Sequence, residues 1–349
     1  MKVPLGRCFV LHVTDDEVFV YAPGDESFLY RYNLKGELLN SIGKVGRGPG
    51  EYLTARFSVN EESQTIVAFC ILTDQYLIYK YDGTYIGKLP VDKENCEGIY
   101  TTHYLSDSTF LNILFFAGYK SSMPERFPLF RIFDNKDITL FTYPHPINRE
   151  IDNIKDDFRM FVTSSYCIRN GDYYNLFFGN SDSVFTVCGD TAFLSYLFDK
   201  GKYTPSEEYK YNHLVSGRVE GDYPEYLLDA SGLVERRNRV YIAQTLGTDK
   251  YIFEYNNKTN VTRSMKLPDG EYEFVNDING GRDFNLKYYY NNNTMADIIH
   301  SSEFIQNIKS SEFKSRPYND SVSHERLINL SREIKPDDNP VLRIVHLKH

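Results

Sequence analysis

Residues Ile66–Leu89 read IVAFCILTDQYLIYKYDGTYIGKL, and how this stretch folds decides the architecture of the chain. It holds three apolar runs: Ile66 to Cys70, Tyr76 to Tyr81 and Tyr85 to Leu89. Asp82-Gly83 separates the second from the third. Both residues tolerate the positive φ of a tight turn, so the pair between alternating apolar runs predicts a β-hairpin. The same unit occurs upstream as Val18 to Tyr21, Phe28 to Asn33, a Lys35-Gly36 turn and Leu38 to Ile42. A third copy runs Thr109 to Phe116, Leu129 to Phe133 and Ile138 to Thr142. A fourth runs Tyr173 to Phe178, Val184 to Val187 and Ala192 to Phe198. A fifth runs Val240 to Ala243, Tyr251 to Tyr255 and Val261 to Leu267, with Asn256-Asn257-Lys258 as its turn.

Six such units in 349 residues give a period of roughly 58, somewhat longer than the usual propeller repeats. One antiparallel meander cannot bury both of its faces. Stacking the units around an axis buries them and leaves only short edges. The chain is therefore expected to be all-β: a single six-bladed β-propeller over residues 1–349, with four-stranded antiparallel blades. The 29 Tyr and 24 Phe suit pleated, half-buried surfaces. Helical patterning enters only late. Met295, Ile298, Ile299, Ile305 and Ile308 predict an amphipathic helix over Thr294 to Ile308, and Leu327, Leu330 and Ile334 a second over Ser323 to Ile334. Pro340 to Leu347 alternates like a strand. We place the helices as an insertion over about residues 294–334 in the last blade. The final strand is expected beside Phe9 to Val13, so that the N- and C-terminal strands close the ring.

The net charge of −9 argues against a nucleic-acid or anionic-membrane partner, because phosphate backbones need a basic patch. Five cysteines, Cys8, Cys70, Cys96, Cys167 and Cys188, form no C-x-x-C pair, which argues against a disulfide framework or a cysteine zinc site. No apolar run reaches the roughly 18–20 residues of a transmembrane span. Met1 to Arg7 is too short and polar for a signal peptide. Cys8 follows Leu5-Gly6-Arg7, without the small residue expected before a lipidated cysteine. Two readings follow: the protein stays in the cytoplasm, or an export segment has been removed.

GKVGRGPGEY, Gly43 to Tyr52, invites a nucleotide reading. A P-loop requires Lys and Ser/Thr after its last glycine, but Gly48 is followed by Pro49-Gly50. A dinucleotide fingerprint fails at the same place, and no helical pattern follows. Turn chemistry suffices: the glycines permit positive φ and Pro49 fixes one φ in a crossing between blades. Such crossings open onto the central funnel, which makes Arg47, Glu51 and Tyr52 candidate ligand contacts. GRVEGDYPEY, Gly217 to Tyr226, echoes the frame about three units further on. In a six-fold ring it lies opposite, adding Arg218, Glu225 and Tyr226 as candidates.

SIGKVGRGPGEY with YLIYKYDGTYIGKL, the closing DDNPVLRIVHLK, and SDSVFTVCGDTAFLSYLFDKGK resemble a family of bacterial six-bladed β-propellers, NHL- and TolB-like domains of unknown function. The resemblance covers nearly the whole chain. It implies the propeller fold and a periplasmic or outer-membrane-surface location, often as a lipoprotein. It carries no catalytic residue.

No H-E-x-x-H or Gly-x-Ser-x-Gly occurs. His103, His145 and His213 fall in expected loops, and His346 and His349 near the end are expected to face solvent. Asp15-Asp16-Glu17, Asp156-Asp157 and Asp337-Asp338 lack EF-hand spacing and read as solvated turns. Tyr288 to Asn293 reads as a strand end leading to a helix cap rather than a sugar platform. No cofactor or metal site is assigned. The residues favour a noncatalytic module binding a glycan, peptide or protein at the funnel. The alternatives are a lactonase-like metal-dependent hydrolase or lyase, with ligands drawn from several blades, and a scaffold using its rim or C-terminal helices.

Overall fold

A computed structural model describes residues 5–24, 26–90, 99–114, 116–119, 128–144, 159–162, 165–178, 182–206, 209, 226–267, 273–285, 289–291 and 294–346. The first sheet is β1 (Phe9–Val13), β2 (Glu17–Tyr21), β3 (Leu29–Asn33) and β4 (Leu38–Ile42). A short parallel pair follows, β5 (Lys44–Val45) with β6 (Glu51–Tyr52). The second sheet is β7 (Ala55–Asn60), β8 (Thr65–Cys70), β9 (Gln75–Lys80) and β10 (Tyr85–Leu89). Next come β11 (Ile99–Tyr104), β12 (Thr109–Leu114), β13 (Phe116–Tyr119), β14 (Pro128–Asp134), β15 (Thr139–Pro144) and β16 (Arg159–Val162). Of these, β11, β12, β14 and β15 form the third sheet, and β13 pairs with β16. The fourth sheet is β17 (Ser165–Asn170), β18 (Tyr173–Phe178), β19 (Ser183–Cys188) and β20 (Thr191–Leu197). The fifth is β21 (Leu227–Arg236), β22 (Arg239–Leu246), β23 (Asp249–Asn256) and β24 (Val261–Lys266). After the pair β25 (Glu273–Phe274) and β26 (Phe284–Asn285), a three-stranded sheet forms from β27 (Tyr289–Asn291), β28 (Thr294–Ile299) and β29 (Val341–His346).

Each sheet is an antiparallel meander, and each spends its two faces on two different cores. Phe19, Leu29 and Ile42 of the first sheet pack with Phe57, Ile66 and Tyr79 of the second. The other face of the second, Val67, Phe69 and Tyr76, packs with Phe110 and Phe133 of the third. Leu111, Phe130 and Ile132 meet Leu176 and Phe185 of the fourth. Phe177 and Val184 meet Leu233 and Ile242 of the fifth. Ala243 and Ile252 meet Met295 of β28. Ala296, its neighbour in sequence, then packs with Val10 and Val20 of the first sheet, joined by Leu342 and Ile344 of β29. The all-β arrangement is propeller-like. These interfaces use residues on both faces of nearly every strand, which is why the strands read as apolar runs rather than clean alternation.

Two expectations change. Thr294 to Ile299 is a strand and not the start of a helix. Its apolar residues face two cores at once, and that two-sided burial imitates three-to-four spacing. Asp297 stands opposite Arg343 of β29, whose Nε donates to its Oδ1 at 2.8 Å. The helix begins only at Ser301. The final strand pairs with β28 rather than with Phe9 to Val13, whose described pairing is with β2. Between β28 and β29 run α1 (Ser301–Lys309), α2 (Ser311–Ser315) and α3 (Ser321–Glu333). They form a small core of their own around Phe304, Ile308 and Phe313, with Leu327 and Leu330 against it. Asp320 caps α3 by accepting from the amides of Val322 at 3.0 Å and Ser323 at 3.1 Å.

Candidate functional site

The first strands of neighbouring sheets lie side by side: β1 beside β7, β7 beside β11, and β17 beside β21. Their turns into the second strands therefore gather at one end. There they surround a cavity of about 730 Å³. The β1–β2 turn brings Asp15; the β7–β8 turn brings Asn60, Glu61 and Glu62; the β11–β12 turn brings Leu105 and Ser106 beside Tyr104. The β17–β18 turn brings Arg169, Gly171 and Asp172, with Tyr174 behind, and the sixth sheet adds Thr294 and His346.

The wall is knitted across sheets. His12 Nε2 lies 2.9 Å from Glu61 Oε1, and Arg169 Nη1 lies 3.7 Å from the same oxygen. Arg169 also donates to the carbonyl of Val59 at 3.4 Å and, through Nε, to that of Gly171 at 3.1 Å. The hydrogen bond from His12 holds the Glu61 carboxyl below the usual carboxylate range; the charges of His12 and Arg169 add to this, against partial burial. Asn60 Nδ2 donates to Asp107 Oδ1 at 2.8 Å, tying the second turn to the third. Deeper along β11, His103 hydrogen-bonds Thr101 Oγ1 at 3.1 Å and packs against the Tyr174 ring, 5.3 Å between centroids. Desolvation, helped by Arg169, pushes its imidazole down to about 4. The sequence had His103 in a loop; it is a strand residue.

Chemically this is a polar, predominantly acidic mouth with two tyrosines in its wall. Among the described residues no three His, Cys, Asp or Glu side chains come together as a metal-holding group. Among them, too, no helix is long and apolar enough to cross a membrane.

The Gly43 to Tyr52 segment is a packed crossing between the first and second sheets. Gly43 has φ 64° and Gly50 φ 71°. Tyr52 is 2% exposed. Its hydroxyl donates to the Ile42 carbonyl at 2.7 Å, lies 3.0 Å from Ser27 Oγ and accepts from the Phe28 amide at 3.1 Å. Burial pushes this phenol up to about 12. Its polar atom is thus used within the fold. Glu51 turns back to accept from the Gly48 amide at 2.7 Å, and Arg47 is exposed. Tyr226 is half-buried, edge-on to Tyr209 with 5.2 Å between ring centroids. Arg218 and Glu225 lie outside the described residues. Arg47, Glu51, Tyr52 and Tyr226 are not among the residues lining the cavity.

Sequence reasoning missed His12, Glu61 and Arg169. A usable signal existed: acidic residues recur in the turn before the second strand of the first four sheets, as Asp15-Asp16, Glu61-Glu62, Asp107 and Asp172. It became visible only once the first strands were located.

Among solved structures, the chain is similar to a Bacteroides fragilis protein described as exported, at 16% identity and TM-score 0.63, covering 100% of this chain and 91% of that one. At this identity the likeness is one of fold. A Bacteroides vulgatus member of the duf4221 family matches at 11% identity and TM-score 0.49, over 76% of this chain and 83% of that one. The Pyrococcus horikoshii acylaminoacyl peptidase matches at 10% identity and TM-score 0.40, over 84% of this chain and 49% of that one. No curated protein matches in sequence. The domain of unknown function DUF4934 matches residues 5–346, nearly the full length, and the chain belongs to that family.

Proposed function

We propose that this chain is a closed six-bladed propeller serving as a noncatalytic binding module of the bacterial cell envelope, with its ligand in the cavity at the end of the axis. The circular succession of cores, from the first sheet through the sixth and back, supports the closed ring. The observation that carries the binding role is convergence: turns from four sheets and strand ends from the sixth meet in one polar cavity. Rigid scaffolds commonly carry function on such turns. An envelope location draws on the fold shared with the exported Bacteroides fragilis protein. The ligand is a glycan, a peptide or a segment of a protein partner.

Titration calorimetry against short oligosaccharides and peptides tests this, using wild type and the Glu62→Gln/Asp172→Asn double variant. Both residues are exposed in turns, so the fold should be spared. The expected result is weakened binding at unchanged melting temperature. Binding that survives the double variant but fails in Arg47→Ala or Tyr226→Phe would move the ligand surface to the loops and remove the cavity from the account.

A further inference from the structure

The six main sheets end outward in β4, β10, β15, β20, β24 and β29, and each of these strands has one hydrogen-bonded neighbour among the described strands. The backbone N–H and C=O groups on the other side form a template for a further strand. Proteins blunt such edges with charge, proline, bulges or a covering segment. A register slip against the neighbouring strand marks β4, β10, β15 and β20 alike. Five of the six edges carry something more. Asn40 ties β4 to the second sheet by donating to the Tyr81 carbonyl at 2.9 Å. Lys88 lies on β10, Pro144 ends β15, Arg263 and Lys266 lie on β24, and Arg343 lies on β29. β20 reads TAFLSYL, with neither charge nor proline, and at seven residues it is the longest of the six. Phe193 is 56% exposed, Leu194 51% and Leu197 70%, and no other outer strand exposes three large apolar side chains. A long apolar edge of this kind marks a contact surface.

The residues of β20 also say what can cover it. A net charge of −9 makes copies of the chain repel one another, and an uncharged strand is a place where they can meet. A two-fold axis between antiparallel strands must pass through a pair of identical residues, because consecutive pairs alternate between hydrogen-bonded and non-hydrogen-bonded types. Leu194 is the middle residue of β20, so centring the axis there overlaps the two strands completely. Phe193 of one copy then faces Ser195 of the other, and Ala192 faces Tyr196. A large side chain meets a small one on both sides of the centre, which suits cross-strand packing. Asp190 and Asp199, just outside the strand, fall opposite Phe198 and Gly189, so no two carboxylates are directly opposed. Pairing of a surface with itself is closed at two copies.

We infer that β20 joins two copies of this chain edge to edge, antiparallel about a two-fold axis at Leu194. β18 and β19 separate β20 from β17, whose Arg169 lines the cavity, so the cavity stays open in the dimer and its ligand is a separate matter.

Sedimentation of the full chain over a range of concentrations tests this. A single strand pair is a small interface, so a reversible monomer–dimer equilibrium is expected. Leu194→Lys sets two ammonium groups face to face at the centre and should weaken the dimer at least about tenfold. Met265→Lys, at an equally exposed site on β24, should leave it unchanged. Opposed Cα atoms of antiparallel strands lie about 4.5–5.5 Å apart, within disulfide reach. Cys188 is exposed nearby, so the cross-link is made in a Cys188→Ser background. There Leu194→Cys should give a disulfide-linked dimer on oxidation, and Ser264→Cys on β24 should not. A chain still monomeric at about 1 mM, a dimer indifferent to Leu194→Lys, or equal cross-linking at the two positions overturns the inference. Assembly beyond two copies does the same. So does a chain that stays monomeric while taking up a synthetic strand peptide at β20, because the edge would then serve a foreign partner.

Discussion

Replacing Gly50 by Ala tests how tightly the crossing between the first and second sheets is packed. Gly50 has φ 71°, a region that costs an L-residue about 1–2 kcal/mol. A Cβ there would also lie 2.6 Å from Cγ of Tyr85 and 2.9 and 3.0 Å from its two Cδ atoms, against the ring itself. The ring has little freedom to retreat, because it packs on Tyr79, whose hydroxyl donates to the Gly50 carbonyl at 2.9 Å. Overpacking of this kind costs about 1–3 kcal/mol, so the total is about 2–5 kcal/mol. At about 2.1 cal/mol/K per residue, the unfolding entropy of 349 residues is about 0.7 kcal/mol/K, and the melting temperature should fall by about 3–7 °C. Gly36 supplies the control: its φ is 80°, yet nothing lies within 4 Å of its would-be Cβ. Gly36→Ala should therefore show the backbone cost alone, about 1–3 °C. Scanning calorimetry of both variants decides the matter. Equal shifts would refute the Tyr85 contact, and in a Tyr85→Ala background the excess at Gly50 should vanish.

Glu235 on β21 accepts from Asn175 Nδ2 at 3.0 Å, Asn170 Nδ2 at 3.4 Å, Tyr173 Oη at 3.3 Å and Tyr196 Oη at 2.5 Å, all from the fourth sheet. Glu235→Ala strands the two buried asparagines and should cost about 2–4 kcal/mol in denaturant unfolding, against under about 1 kcal/mol for Glu254→Ala at a surface pair. His103 is depressed in the folded state, so the unfolded chain binds the extra proton first as pH falls. Its contribution is complete above about 6.5 and is lost towards about 4; urea midpoints of His103→Gln should show a flatter profile across that window, and an unchanged slope would refute the assignment. Glu61 is also lowered, so its stabilisation is present above the ordinary glutamate range and disappears on further acidification. The gap between wild type and Glu61→Gln should be constant near neutrality and close in acid.

The outer three strands of each unit were legible because their turns are chemically marked. Gly36 and Gly83 adopt φ 80° and 85°, and Asn256 Oδ1 accepts from the amides of Lys258 at 3.0 Å and Thr259 at 3.2 Å, as its turn-forming chemistry implies. The first strands were hidden for the opposite reason. β7 alternates Ala55, Phe57 and Val59 with Arg56, Ser58 and Asn60, and β17 ends in Arg169 and Asn170, so these strands lack the continuous apolar runs that marked the others. Some of those residues bond to partners on neighbouring sheets, far away in sequence, as when Ser58 Oγ accepts from the Tyr104 amide at 3.2 Å. The site stayed illegible with them, since its lining sits at the ends of these strands. The glycine-rich segment drew attention as a ligand surface, but its distinctive residues serve packing: Tyr52, Tyr79 and Tyr85 enclose the two positive-φ glycines.

Among the described strands, none forms a ladder between the start and the finish of the chain; Val10 and Val20 pack with Ala296 and Ile344, and the Leu5 amide donates to Asn339 Oδ1 at 3.0 Å. Every four-stranded sheet is thus complete within one continuous stretch of sequence. A growing polypeptide emerging at about 5–20 residues per second can finish each module before the next appears. The seam between the ends is then the last interface to form. Held by apolar packing and a hydrogen bond at Leu5 but by no ladder, it is also where the molecule would part first under mechanical load or mild denaturant.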